Sequence, residues 1–128
     1  MLSNGSEPTS SAYFRPALGG DMAAMRGIAK FLLQWEREAQ AKGEPPVFDH
    51  AFIAEHTSGI DGYLAAVDAT AWEHIVEQSG LTLAEIELAA RMYRKAEGVI
   101  MCWAMGVTQH RHSCLLYTSD AADDQSTV

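Results

Sequence analysis

The sequence predicts an α/β fold, and three observations carry that expectation. An apolar run without charge over 99–105 breaks at Gly106 into the polar stretch Val107-Thr108-Gln109-His110, as a buried parallel strand does where its carboxyl edge faces a ligand. Upstream, helical periodicities follow one another from about residue 21 to about residue 97. At the far end, Gly19-Gly20-Asp21 marks a second place where a strand or loop gives way to a helix. The order extended segment, helix, small helices, helix, strand, turn suits part of a doubly wound, Rossmann-like dinucleotide-binding domain with a helical insertion, helix-rich over this length.

Residues 1–12 are small and polar, without periodicity, and read as a connector. Tyr13-Phe14-Arg15-Pro16-Ala17-Leu18 reads as a short extended segment that Pro16 keeps off a central strand position. The first helix spans about 21–42, with Asp21 as its N-cap and Gly43, Pro45 and Pro46 stopping it. Met22, Met25, Ile28, Ala29, Leu32, Leu33 and Trp35 form its apolar face, opposite Arg26, Lys30, Gln34, Arg37 and Glu38. Gly27 within it costs up to about 1 kcal/mol of propensity and points to close packing.

Asp49 caps a short second helix over 50–57 with Phe52 and Ile53 inward, and Asp61 opens a third bearing Tyr63, Leu64 and Val67. Two capping boxes follow. Thr70-Ala71-Trp72-Glu73 starts a helix that Gly80 ends, and Thr82-Leu83-Ala84-Glu85 starts another reaching about Glu97. Its buried face is Leu83, Ile86, Ala89, Ala90 and Tyr93, and Gly98 separates it from the strand that begins at Val99.

Composition narrows the function. A net charge of −8 argues against nucleic acid or an anionic membrane as partner. Part of that charge lies in Asp120, Asp123 and Asp124, and residues 1–112 hold 14 acids against 9 bases. No apolar run approaches membrane-spanning length and no signal-peptide pattern opens the chain, so a reducing cytoplasm is the expected compartment. Cys102 and Cys114 make no disulfide framework, and with His110 and His112 they match no zinc spacing; Cys102 reads as a small hydrophobe in the strand. His50, His56 and His74 read as ordinary helix residues, and the glutamates, Glu36 among them, as solvated faces or caps. Ser and His never meet in a nucleophile motif, so spacing alone gives no catalytic residue.

Two stretches carry candidate chemistry. Gly19-Gly20-Asp21 presents backbone N–H groups at a helix start, suited to ribose or phosphate oxygens, while the Asp21 carboxylate suits a hydroxyl or a guanine amide edge. The same residues also make an ordinary turn and N-cap. In Met105-Gly106-Val107-Thr108-Gln109-His110, Gly106 admits close backbone approach, Thr108 and Gln109 offer donors and acceptors, and His110 can titrate or stack.

Four segments resemble, in order, the large catalytic subunits of molybdopterin oxidoreductases. Residues 19–30, beginning Gly19-Gly20-Asp21-Met22-Ala23, resemble one stretch of that family. Phe48-Asp49-His50-Ala51-Phe52-Ile53-Ala54-Glu55-His56-Thr57-Ser58-Gly59 is similar to its DxxFIxxHTxGF segment, with Ile60 in place of the usual aromatic. Ala84-Glu85-Ile86-Glu87-Leu88-Ala89-Ala90-Arg91-Met92-Tyr93 resembles its xEIExAARxY helix. Trp103-Ala104-Met105-Gly106-Val107-Thr108-Gln109-His110 resembles its WGMGxTQH signature, with Ala104 replacing the first glycine.

The resemblance covers about residues 5–112 and is nearest to the formate-dehydrogenase-like, YdeP-type branch. It implies that 13–112 form part of a domain binding bis(molybdopterin guanine dinucleotide) molybdenum. Met105, Gly106 and Gln109 would line that cofactor, with Thr108 and His110 beside them and Gly20 and Asp21 as weaker carry-overs. The molybdenum ligand, and the cysteines of any 4Fe-4S cluster, would lie outside this piece. The partners implied are the remainder of the catalytic subunit and a small-molecule substrate such as formate.

Met1 is then expected to be an internal methionine of a longer frame. Residues 113–128 depart from the family and resemble a translated adapter tail, so they are expected to be foreign to it. Alone, the chain is expected to be inactive and poorly soluble. The alternatives are a stand-alone nucleotide-binding module and a small helical adaptor.

Overall fold

The computed structural model describes residues 10–102, which hold five helices: α1 (Asp21–Lys42), α2 (His50–His56), α3 (Ile60–Ala69), α4 (Trp72–Ser79) and α5 (Leu83–Lys95). Residues 13–18 precede α1 without regular structure. Among the described residues there is no strand. The expected strand enters the described residues only as Val99, Ile100, Met101 and Cys102, which have no regular structure; Ile100 is 91% exposed and Cys102 is exposed as well.

Helix α1 is the axis on which α3, α4 and α5 pack. The core is Ile75, Leu81 and Ile86, surrounded by Phe14, Ala24, Ile28, Phe31, Trp72 and Val76. Full burial of side chains the size of Ile75 or Ile86 contributes about 1.5–3 kcal/mol each. Gly27 lets the helices meet: a Cβ there would lie 2.8 Å from Ile86 Cγ2 and 2.9 Å from Ile75 Cγ2. Beside the core, Phe31 stacks at 4.5 Å on Trp72 and 5.6 Å from Trp35, and the guanidinium groups of Arg91 and Arg94 lie 5.3 and 5.5 Å from the Trp35 ring.

Two groups expected in solvent are buried. Lys30 is 7% exposed because α3 ends over it; its Nζ donates to Val67 O at 3.3 Å and Asp68 O at 2.6 Å, a cation on the negative end of a helix. Glu36 is 3% exposed because the chain after Gly43 folds back across α1, bringing the Val47 and Phe48 N–H groups onto Oε2 at 2.6 and 3.0 Å. His50 Nε2 and Gln40 Nε2 lie 2.8 and 2.7 Å from its Oε1.

The opposite error occurs for several apolar residues. Met22, Met25, Leu83 and Tyr93 are exposed, and Phe52 is 56% exposed, packing its ring at 4.5 Å on that of His56. Helix α2 buries no residue at all.

Helix ends follow local chemistry with three corrections. Gly20, not Asp21, is the N-cap of α1, and Asp21 supplies the acid of the first turn. Thr70 does not cap α4: it closes α3, its hydroxyl donating to Ala66 O at 2.8 Å, and Ala71 takes the N-cap place. Helix α5 stops at Lys95, with Ala96 in extended conformation as its C-cap. The Thr82–Glu85 box is complete, with Glu85 N donating to Thr82 Oγ1 at 3.3 Å and Thr82 N to Glu85 Oε2 at 2.8 Å. Hydrogen bonds from the Thr82 hydroxyl and N–H hold the Glu85 carboxyl below its usual range.

Candidate functional site

Of the sequence-predicted site residues, Gly20 and Asp21 are described, and Met105, Gly106, Thr108, Gln109 and His110 lie outside the described residues. The loop before α1 is built against the end of α4. Ala17 N donates to Ser79 O at 2.7 Å, and Gly20 N donates to Ala17 O at 2.8 Å, closing a turn through Gly19 at φ 84°. That positive φ is left-handed backbone, which glycine adopts without a Cβ penalty.

Gly20 is required for a different reason. A Cβ on it would lie 2.5 Å from Gln78 O and 2.9 Å from Ser79 O, so its lack of a side chain is used by protein backbone. Its N–H is likewise committed within the turn. Gly80, at φ 68°, completes the junction, where an added Cβ would meet Ala17 Cβ at 2.8 Å. Ser79 is fully buried here, its hydroxyl accepting from Leu81 N at 3.2 Å.

Beside this turn an open cleft of about 500 Å³ is lined by Gly19, Met22, Ala23, Arg26, Thr70, His74 and Gln78. Arg26 brings a guanidinium fork, Gln78 an amide, Thr70 a hydroxyl oxygen and His74 an imidazole. Arg26, Gln78 and His74 offer donors for phosphate, hydroxyl or heterocycle oxygens, Thr70, whose proton goes to Ala66 O, offers an acceptor, and the Asp21 acid lies at the start of α1. They make no nucleophile-and-base pair, and among the described residues no group of three His, Cys, Asp or Glu side chains is placed to hold a metal ion.

Arg26, Thr70, His74 and Gln78 are not among the candidate site residues that the sequence singles out beside Gly20 and Asp21. The available signal was spacing: Met22 and Arg26 are four apart on α1, and Thr70, His74 and Gln78 follow in steps of four along α4 and its approach. What spacing does not give is that α4 lies against α1, with Gln78 at the Gly20 turn and the end of α3 over Lys30.

Over 112 residues, 88% of the chain, it is 38% identical to the protein YdeP of Escherichia coli (strain K12). It is 32% identical over 106 residues, 83% of the chain, to an uncharacterized oxidoreductase of Mycobacterium tuberculosis (strain ATCC 25618 / H37Rv). Over 66 residues, 52% of the chain, it is 38% identical to formate dehydrogenase H of Escherichia coli (strain K12). The chain is similar to formate-dehydrogenase-like oxidoreductases.

It spans 15%, 13% and 9% of the length of these three relatives, respectively. No family model and no solved structure matches it significantly. No helix among the described residues is long and apolar enough to cross a membrane.

Proposed function

We propose that this chain is part of the catalytic subunit of a molybdopterin oxidoreductase of the formate-dehydrogenase-like kind, contributing to one dinucleotide-binding half and the helical insertion packed on it. The observation that carries the reading is 38% identity over 66 residues to formate dehydrogenase H, of which those residues are 9%. The α/β architecture belongs to the proposal: the strand from Val99 would be completed by neighbours that the longer subunit supplies.

The described residues fit a supporting part in holding a bis(molybdopterin guanine dinucleotide) cofactor. The cleft at the Gly19-Gly20-Asp21 turn has donors suited to the polar parts of a dinucleotide. Met105, Gly106, Thr108, Gln109 and His110 would line the cofactor beyond them, with Asp21 accepting from a hydroxyl or a guanine amide edge. When bound, the cofactor supplies the redox chemistry at molybdenum. This chain's residues would bind, orient and shield it, and the chain alone would have no activity on formate or a similar small substrate.

Calorimetry tests this on the chain as it stands. Titration with GDP is expected to give no tight, saturable binding, because most contacts to a dinucleotide would come from elsewhere in the subunit. Micromolar binding would overturn the reading in favour of a stand-alone nucleotide-binding module. Genomic DNA on either side is expected to continue the family-like frame upstream of Met1 and to diverge from residues 113–128; a true start and stop at those positions would sink the proposal.

A further inference from the structure

We infer that residues 44–58 form a hinged flap, latched to α1 by the Glu36 carboxylate and able to open while α1, α3, α4 and α5 stay folded. The inference rests on packing within the described chain and is independent of the function proposed above.

The flap is bounded by two left-handed glycines, Gly43 at φ 68° and Gly59 at φ 75°, and an added Cβ at either meets nothing within 4 Å. Neither glycine is therefore hemmed in by a neighbouring side chain, and because Gly43 N and Glu44 N donate to Gln40 O and Ala39 O at 3.3 and 2.9 Å, the chain is free to swing away from α1 only beyond Glu44. Between them, α2 has seven residues and buries none. A helix that short does not hold itself in water. Val47, Phe48 and Ile53 are only half-buried, so little apolar area ties the segment down.

The latch is polar and centred on one side chain. Glu36 Oε2 accepts from Val47 N at 2.6 Å and Phe48 N at 3.0 Å, and Oε1 lies 2.8 Å from His50 Nε2. A carboxylate only accepts, so Nε2 of His50 carries the proton in this contact. Opening would exchange these bonds for water at a carboxylate that is otherwise 3% exposed, which lowers the cost of release.

Helix α3 is held differently. Val67 is fully buried, Lys30 donates to the Val67 and Asp68 carbonyls, and the Arg37 guanidinium pairs with both oxygens of Asp68 at 2.8 and 2.9 Å. The division between what opens and what stays therefore falls at Gly59.

Hydrogen–deuterium exchange of the whole chain tests the flap. The amides of Val47, Phe48, Phe52, Ile53 and Thr57 are expected to exchange together, about tenfold or more faster than the central amides of α1 and α5. Glu36→Gln and His50→Ala are each expected to speed exchange over 44–58 by about a further tenfold, leaving α1, α4 and α5 unchanged. His50→Ala decides the matter if Glu36→Gln fails to fold, because its side chain is 56% exposed and touches the latch from outside the core. Exchange over 44–58 in step with α1 and α5, or an even acceleration of the whole chain by His50→Ala, would overturn the proposal.

Discussion

Gly27 and Glu36 sit three turns or less apart on α1 and show what one residue decides. At Gly27 an added methyl would lie under 3 Å from branched carbons of both Ile75 and Ile86, which have little freedom to retreat. Gly27→Ala gains about 1 kcal/mol of helix propensity against overpacking of about 1–3 kcal/mol, so a net loss of up to about 2 kcal/mol is expected, read as a lowered urea midpoint. The close packing was legible because a glycine inside a strong amphipathic pattern needs a reason. Glu36 was not legible. Periodicity places a side chain on a face of its own helix, whereas its burial depends on chain that returns across α1 at 47–50. Burial alone would raise the Glu36 carboxyl, but hydrogen bonds from His50, the Phe48 and Val47 N–H groups and Gln40 outweigh it and hold the pKa at about 2, from an ordinary 4.5. A depressed carboxylate stabilises the closed arrangement fully above its unfolded pKa. That stabilisation is lost as pH falls through about 2. Protection of the 44–58 amides is thus expected to show no pH dependence from Glu36 above about pH 5, where its contribution is complete, and to fall on acidification well before that of α1 and α5, with Glu36→Gln removing the acid dependence.

At the scale of elements, the two Thr-x-x-Glu patterns make a controlled comparison. Thr82 and Glu85 form the full reciprocal cap of α5. Thr70 precedes Glu73 at the same spacing, yet α3 runs directly into it, and the hydroxyl is taken by Ala66 O one turn back. The sequence signal is identical, and what separates the two is the preceding chain: Gly80 frees Thr82 from α4, while nothing frees Thr70 from α3. Thr82→Ala is expected to cost about 1 kcal/mol of stability in a thermal melt. Thr70→Ala is expected to cost clearly less than that, because a hydroxyl returned to its own helix contributes little. Helix identity was otherwise readable from periodicity and stop signals. Gly43 with Pro45 and Pro46 fixed the end of α1, and Gly80 that of α4, both in left-handed conformation.

For the whole molecule, the distribution of apolar surface is the informative quantity. Among the described residues, more large hydrophobic side chains are exposed than buried, and Leu88 and Met92, one turn apart on α5, point away from the Ile86 and Ala90 face that meets α1. A surface of this kind is covered in longer proteins by packing, and this chain spans 9–15% of the relatives named above. The sequence pattern could not separate this face from a core face, since the reading that α5 buries apolar residues is met by Ile86 and Ala90 while Leu83 and Tyr93 stay exposed. If the proposed function is right, the outer face of α5 costs the isolated chain solubility and gives the longer subunit stability. The double change Leu88→Lys and Met92→Lys therefore has opposite expected outcomes in the two settings. In this chain it should reduce aggregation in light scattering and leave the stability within about 0.5 kcal/mol, as for substitutions at exposed positions. At the aligned positions of the full-length Escherichia coli YdeP protein, burying two unpaired ammonium groups should lower the melting temperature or abolish soluble expression. Equal tolerance in both proteins would mean that the face is solvated in the longer one as well, and that the reading of α5 as an internal packing surface is mistaken.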